Sequence, residues 1–135
     1  GMIGHSPGLI GELTLAENLD HVARLVGIER TRVGRALDVV GLGEVAGRRA
    51  DVSSFGMRRR VEIARLLLTK PRLLLLDEAG SGLDEEARQL INALVESVCS
   101  REGACIVVSH DRAHLEGLCT RVTSLSGGSL KETPA

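Results

Sequence analysis

The stretch Arg72-Leu73-Leu74-Leu75-Leu76-Asp77-Glu78, followed closely by Ser81-Gly82-Leu83-Asp84, decides the fold of this chain. Four consecutive leucines cannot alternate between a buried and an exposed face, so they predict a strand that is covered on both faces. Such strands are typical of parallel sheets flanked by helices. Ligands of those sheets bind at the carboxyl edge of the strands, where the two acids would stand.

Asp77 and Glu78 at that edge fit the chemistry of a nucleotide phosphate site. Asp77 would hold Mg²⁺ through water, and Glu78 would polarise a water molecule that attacks a γ-phosphate. The alternative from these residues alone is a core strand that ends in two solvated acids. The neighbouring motifs have to distinguish the two.

Composition limits the classes of function. The chain has 135 residues, 43% of them hydrophobic, which suits one domain with a substantial core. Its formal net charge of −1 gives no field that favours nucleic acid or an anionic membrane surface, so no nucleic-acid partner is expected. No apolar stretch approaches the roughly 20 residues that span a bilayer. Cys99, Cys105 and Cys119 lack metal-type spacing and are expected to be buried thiols of a reducing cytosol.

The first half of the chain has helical patterns. Thr14 and Glu17 form a capping box, and apolar residues recur at helical spacing until Gly27. Pro71 fixes the end of the last helix of this half. The predicted helices are residues 14–27, 31–40 and 56–69, with a loop at residues 42–52.

The second half alternates strands and helices. The predicted elements are strands at 73–77 and 104–108, helices at 84–99 and 111–118, and two strands at 122–125 and 129–131. The strand at 104–108 is expected to be buried, and Ser126-Gly127-Gly128 predicts a terminal hairpin. The division is therefore a helical part, residues 1–71, and an α/β part, residues 72–135.

Four motifs in order carry a family resemblance: Gly4-His5, Ser53-Ser54-Phe55-Gly56-Met57-Arg58, the acid-ended strand with Ser81-Gly82-Leu83-Asp84, and Ile106-Val107-Val108-Ser109-His110-Asp111. Together they resemble the ATP-binding subunit of ABC transporters, from its glutamine loop to its C-terminal end. The resemblance implies an α/β fold, namely a partial P-loop NTPase (RecA-like) core with a helical subdomain. It also implies ATP and Mg²⁺ as ligands.

Residue by residue, the resemblance implies roles for the acids and for one histidine. Asp77 matches the Walker B aspartate that is linked to Mg²⁺, Glu78 the general base, and Asp84 the D-loop aspartate. His110 matches the switch histidine that contacts the γ-phosphate. A lone histidine after a strand is more often a surface residue, but the sheet edge that His110 shares with Glu78 favours a ligand contact.

The signature loop of the family is typically Leu-Ser-Gly-Gly-Gln, and here Ser54 and Gly56 match it. By the resemblance, this loop and the following helix N-terminus bind the γ-phosphate of ATP held by the opposite subunit. Phe55 replaces a glycine, which puts backbone freedom and close approach in doubt. The arginines at 58–60 oppose the helix dipole by about 0.3–1 kcal/mol each. Either an anion lies nearby, or these arginines extend into solvent or pair with acids.

His5 lies thirteen residues before Asn18, the offset at which the family has its glutamine. Imidazole can still ligate Mg²⁺ or position water, although less well than an amide oxygen. The surrounding residues look most like the haem-exporter type of subunit from cytochrome c maturation.

No Gly-x-x-x-x-Gly-Lys-Ser/Thr motif occurs in these residues. The family's P-loop should precede His5, so the chain is expected to begin after it, to bind ATP weakly and to hydrolyse it negligibly by itself. In the family the strand before His110 lies beside the P-loop strand. The sequence therefore predicts an apolar edge that the terminal hairpin or a second chain covers.

The main functional hypothesis is an ATP-binding and hydrolysing subunit that dimerises and drives a separate membrane-spanning subunit from the inner face of the cell membrane. A non-transport ABC ATPase is disfavoured, because only about fifty residues separate His5 from Ser54 and leave no room for a coiled coil. A third hypothesis is a degenerate, inactive module that regulates or pairs with a complete subunit. The missing P-loop favours it, and retention of Glu78, Asp84 and His110 argues against it.

Overall fold

The computed structural model describes residues 1–133. The last two residues of the predicted α/β part lie outside that range. The elements are β1 (Met2–Ile3), α1 (Leu15–Leu25), α2 (Thr31–Val39), a short 3₁₀ helix (Gly43–Val45), α3 (Phe55–Thr69), β2 (Leu73–Asp77), α4 (Glu85–Cys99), β3 (Ala104–Val108), α5 (Arg112–Leu118), β4 (Val122–Ser126) and β5 (Ser129–Thr133). The predicted elements agree with these bounds to within about two residues at each end.

Strands β1, β2 and β3 form a parallel sheet in that spatial order. Leu75 of β2 is in register with Met2 on one side and with Ile106 on the other. Asp77 is paired with Val108, so both strands end at the same edge of the sheet. The α/β fold class with a parallel sheet is thus confirmed.

The helical part is organised by caps and by one buried amide. The Thr14 hydroxyl accepts a hydrogen bond from the Glu17 amide, and the Glu17 carboxylate accepts one from the Thr14 amide. The Asn18 side chain bonds both the amide and the carbonyl of Ile10, which ties the loop before α1 to the helix. Apolar side chains of α1, α2 and α3 then fill one core, including Leu19, Leu37 and Ile63.

The leucine strand is covered on one face only, so the prediction of full coverage is wrong. Leu74 and Leu76 are fully buried and belong to the core, whereas Leu73 is 49% exposed and Leu75 is half-buried. In residues 1–133, helix α4 contacts β2 and β3 from the buried face. The alternation arises because consecutive side chains of a strand point to opposite faces, whatever their chemistry.

Strand β3 also differs from the prediction of a buried strand. Ile106 is 58% exposed, and Val108 beside it is similarly exposed. Strands β4 and β5 pair with each other in a separate antiparallel sheet, so the terminal hairpin does not pair with the edge of β3. A second chain at that edge stays a prediction.

The cysteines are less buried than the sequence predicted. Cys99 is exposed, and Cys105 and Cys119 are half-buried. Cys99 ends α4 and Cys105 lies in β3, and their Sγ atoms are 3.9 Å apart. The reason is the exposed position of β3 and of the segment after α5, which leaves one side of this cluster open. Within residues 1–133, no helix is both long and apolar enough to cross a bilayer.

Candidate functional site

The carboxyl edge of the parallel sheet brings Glu78 and His110 together. Glu78 follows β2 directly, and its amide donates a hydrogen bond of 2.9 Å to the carbonyl of Val108, the last residue of β3. The chain then continues through Ser109 to His110, whose Nδ1 lies 3.0 Å from Glu78 Oε2. Two neighbouring strands therefore deliver an acid and an imidazole to one point.

The backbone at Glu78 is in the left-handed region, with φ of 50°. A residue with a side chain adopts that conformation at some cost, and such residues are enriched at functional sites. The amide of Glu78 is held by β3, and its carbonyl accepts a hydrogen bond of 3.0 Å from the Ser81 amide. These two bonds fix the direction in which the half-buried carboxylate leaves the strand.

Asp77 is the last residue of β2, and it is exposed at the same edge. In the part of the chain that the structure describes, no three His, Cys, Asp or Glu side chains form a group that could hold a metal by themselves. Magnesium sites with nucleotides commonly use one or two carboxylates and complete the shell with water and phosphate oxygens. A single carboxylate oxygen donor at Asp77 fits that pattern.

A cleft of about 130 Å³ opens beside the pair. Its polar lining includes Glu78, Ser81, Arg88, Ser109, His110, Asp111 and His114. A volume of this kind holds a water molecule for roughly each 10–15 Å³, so the cleft has room for several waters or for a phosphate group with its attacking water.

Arg88 and His114 in that lining were missed by the sequence reasoning, which left His114 as a surface or partly buried residue. Both follow helix caps. Arg88 lies four residues after Asp84, which caps α4, and His114 lies three residues after Asp111, which caps α5. A polar side chain in the first turn of a helix that begins at the sheet edge is the signal that could have found them.

Asp84 caps α4 and pairs with α3. Its Oδ1 accepts a hydrogen bond of 2.8 Å from the Ala87 amide, and Arg60 Nη2 lies 3.1 Å from the same oxygen. The Ala87 amide, and after it the Arg60 guanidinium, hold the pKa of this exposed carboxyl below its ordinary value. Arg60 also binds Glu86 at 2.8 Å. Asp84, the predicted D-loop aspartate, therefore links α4 to α3.

The signature segment begins α3. The Ser54 hydroxyl accepts a hydrogen bond of 3.2 Å from the Met57 amide and caps the helix. Phe55 is the first helical residue, and its φ is not positive, so the loss of a glycine there costs no backbone strain. The space where a Cβ of Gly56 would stand is open. The doubt about backbone freedom at Phe55 is thus removed.

The three arginines after the signature segment are engaged with protein groups. Arg58 Nη1 donates to the carbonyls of Ala50 and Ser53. Arg60 pairs with acids of the α4 N-terminus, and Arg59 pairs with an acid of its own helix. The sequence left open a nearby anion, or arginines that extend into solvent or pair with acids. Arg59 and Arg60 pair with acids.

His5 has an exposed side chain, and the structure does not join its imidazole to the pair at the sheet edge by a hydrogen bond within residues 1–133. Its backbone carbonyl accepts a hydrogen bond of 2.8 Å from Arg59 Nη2. The location of His5 is therefore determined by α3, while its role stays a prediction.

Comparisons with known proteins agree with this architecture. The family model described as ABC transporter matches residues 1–81. Methionine import ATP-binding protein MetN 3 of Pseudomonas fluorescens is 35% identical over 140 residues, covering 100% of this chain and 43% of that protein. Methionine import ATP-binding protein MetN of Salmonella enteritidis is 35% identical over 98% of this chain and 44% of its own length. A putative ABC transporter ATP-binding protein of Streptomyces avermitilis is 40% identical over 78% of this chain and 40% of its own length.

The chain thus spans less than half the length of these curated relatives. Their names give no support to the haem-exporter type that the sequence suggested. The match to the family model covers more than half of the chain, and it includes the leucine strand, both acids that follow it and the signature segment. On these grounds the chain belongs to the ABC transporter family, as an ATP-binding domain sequence.

Proposed function

We propose that the chain acts as part of the ATP-hydrolysing subunit of an ABC transporter. Residues 1–71 would supply the glutamine-loop and signature subdomain, and residues 72–135 the C-terminal part of the ATPase core. The observation that carries the proposal is the distance of 3.0 Å between His110 Nδ1 and Glu78 Oε2, at the edge where β2 ends in Asp77. An acid, an imidazole and a second carboxylate at one edge match the needs of phosphoryl transfer to water.

Glu78 is the general base of this proposal. Its carboxylate lines a cleft that has room for a water molecule and a phosphate group. Oε2 faces the His110 ring, so Oε1 remains available to accept the proton of the attacking water. The hydrogen bonds at the Glu78 backbone fix the main chain from which this carboxylate extends.

His110 orients Glu78 and contacts the phosphate. An imidazolium donates from both ring nitrogens, whereas a neutral ring donates from one and accepts at the other. Only the protonated ring can therefore donate from Nδ1 to Glu78 and from Nε2 to a γ-phosphate oxygen at the same time. Its exposure beside the cleft leaves Nε2 accessible to such an oxygen.

Asp77 would hold Mg²⁺ through water, and that ion, when bound, neutralises charge on the phosphate oxygens. His5 would take the place of the family's glutamine near that ion. Ser54, Gly56 and the first amides of α3 would receive the γ-phosphate from a second ATP-binding subunit, since a helix N-terminus offers unpaired amides to an anion. Asp84 would stand at the same subunit contact, and no nucleic acid takes part.

Transport requires a membrane-spanning partner, and we propose that the chain works on the inner face of the membrane through that partner. By themselves, these residues should bind ATP weakly, because the sequence contains no P-loop lysine motif and so lacks the amide cradle and lysine that grip the phosphates. The relatives named for methionine import leave the haem-exporter type without support.

A chimera tests the catalytic part. The segment of the Pseudomonas fluorescens relative that precedes its match to this chain is joined ahead of Met2, and ATP hydrolysis is measured. We expect activity that Glu78→Gln lowers by about 10²–10⁴-fold, as for loss of a general base. Glu116→Gln is the control, because Glu116 is an exposed acid that pairs with Arg112 away from the cleft.

An active chimera in which Glu78→Gln retains the original rate would contradict the role of Glu78. For the chain alone, calorimetry with Mg-ATP should give a dissociation constant in the millimolar range. Low-micromolar affinity would overturn the proposal of weak binding.

A further inference from the structure

We propose that the buried pair of Arg59 and Glu62 positions His5 by holding residues 4–8, the His5 segment, on the signature helix α3. This inference rests on the proposed function for its consequence and on the contacts of the two side chains for its geometry. It assigns a positioning role to two residues that the catalytic proposal does not use.

Arg59 and Glu62 are charged residues in the interior. Their exposed fractions are 1% and 3%, and Arg59 Nη1 lies 2.7 Å from Glu62 Oε2. They are three residues apart on α3, a spacing that brings side chains together on one helix face. An ion pair that is this deeply buried is rare unless it also makes hydrogen bonds with other polar groups.

Those other groups belong to the His5 segment. Arg59 Nη1 donates to the Gly4 carbonyl and Nη2 donates to the His5 carbonyl, each at 2.8 Å. Glu62 Oε1 accepts a hydrogen bond of 3.1 Å from the Gly8 amide. The pair therefore holds the segment at both of its ends, with a donor at one end and an acceptor at the other.

The chemistry of the pair favours positioning over stability. Desolvation offsets most of the attraction within a buried ion pair, and apolar residues of similar volume are often equally stable in its place. Apolar side chains could not bind two carbonyls and an amide of a segment that has no regular secondary structure of its own. What the ion pair adds is a fixed path for the backbone that carries His5.

Phe55 connects this path to the signature segment. The Arg59 guanidinium carbon lies 5.1 Å from the centre of the Phe55 ring, within the range of a cation–π contact. Phe55 is the first residue of α3, and 38% of it is exposed. A group that binds at the signature segment would therefore touch the residue that rests on the guanidinium holding His5.

The experiment uses the chain as it is, with four variants. Glu62→Gln keeps the shape and removes the charge, and Arg59→Lys keeps the charge and removes the fork that binds two carbonyls. Arg59→Met with Glu62→Leu preserves an apolar interior if the single changes unfold the chain. Arg58→Lys is the matched control, because Arg58 is on the same turn and binds residues 50 and 53 instead.

The first readout is magnetic resonance of the free chain. In the double variant, which leaves the Gly8 amide without its acceptor, that amide should exchange with solvent about tenfold faster or more. Glu62→Gln has one oxygen that can serve either the Gly8 amide or Arg59, so its exchange rate should lie between those of the original chain and the double variant. The ring signals of His5 should shift, while those of His21, His110 and His114 stay in place. Arg58→Lys should change neither. Unchanged Gly8 exchange and unchanged His5 signals in the folded double variant would overturn the inference.

The second readout adds Mn²⁺ with a non-hydrolysable ATP analogue, at millimolar concentration. Mn²⁺ at the proposed nucleotide site should broaden the His5 and His110 signals, and the pair variants should lose the broadening at His5 alone. Broadening at no histidine of the original chain would overturn the proposed function and the positioning role with it. The Gly8 exchange would still report whether the pair holds the segment, so the two failures are distinguishable.

Discussion

The helical part and the α/β part expose apolar side chains in different places. In the helical part, Leu37 and Ile63 are fully buried among helices that are adjacent in sequence. In the α/β part, Ile106 lies on an open sheet face, and Leu125 and Leu130 of the hairpin are 72% exposed. One core of buried residues runs through both parts, and the helical part also exposes apolar side chains, such as Leu25 at 73%. The parts differ in where these side chains lie: helix ends and loops expose most of them in the helical part, whereas an open sheet face and a hairpin expose them in the α/β part.

The candidate site lies in the part that has the open sheet face. Glu78 and His110 lie at the ends of β2 and β3, and β3 is covered on one face only. Helix α3, in contrast, has both of its flanks packed against α1, α2 and α4. We therefore expect the signature helix to act as the fixed reference and the sheet edge to depend on additional cover.

Truncation of an apolar side chain should have the largest effect on the free energy of unfolding, and the effect should differ between the core and the hairpin. Ile63→Ala should lower the free energy of unfolding by about 2–5 kcal/mol, because Ile63 is fully buried and its truncation leaves a cavity in the core. Leu125→Ala should change it by less than about 0.5 kcal/mol, as for a surface substitution. Chemical denaturation of both variants measures the comparison. Equal losses would show that the hairpin is buried against something and would break the contrast.

Local elements could be predicted from the sequence because their signals are local. The capping box at Thr14, the serine cap at Ser54 and the run from Leu73 to Asp77 each act within a few residues. The burial of β3 could not be predicted in this way, because it depends on which element lies across the sheet from Ile106. A four-residue apolar run looks the same whether one face or both are covered.

The candidate site was predictable to a similar extent. Strand order placed Glu78 and His110 at one edge, since carboxyl ends of parallel strands coincide. The fate of Arg59 was not predictable, because three consecutive arginines on a helix give no indication of which one points inward. Its burial depends on the carbonyls of Gly4 and His5, which lie more than 50 residues earlier in the chain.

Thiol reactivity should sharpen the contrast between the two faces of β3. Burial, and after it the hydrogen bond with Cys99, raise the pKa of the Cys105 thiol from 9.0 to about 11. At pH 8 the thiolate fraction of Cys105 should therefore be about a hundredfold lower in the folded chain than in the unfolded chain. Alkylation by iodoacetamide with peptide mass spectrometry gives both rates.

Cys99→Ala supplies the control for that measurement, because it removes the second cause of the shift and should quicken the alkylation of folded Cys105. Similar alkylation rates for Cys105 in the folded and unfolded chains would mean that the inner face of β3 is as exposed to solvent as the outer face.

A helix cap in the helical part should have a smaller effect. Thr14→Ala removes the hydroxyl that bonds the Glu17 amide and should lower the free energy of unfolding by about 1 kcal/mol. Thr14→Ser retains the hydroxyl and should be close to the original chain. Amide exchange of the first turn of α1 locates the effect. Faster exchange spread evenly over both parts would show that the first turn of α1 opens only together with the α/β part.

The smallest expected effect concerns Asp84, which joins the two parts through Arg60. Its pKa is lowered in the folded chain, so the stability it contributes is present above its ordinary value of 3.8 and is lost as pH falls through the lower folded value. Asp84→Asn keeps a capping oxygen for the Ala87 amide and removes the charge. Urea unfolding at pH 7 should find the variant slightly less stable, with the difference shrinking as pH falls below 3.8. Salt should also shrink it, because the pair is exposed. A difference that persists unchanged in acid would mean that α3 and α4 are joined by packing and not by this charge.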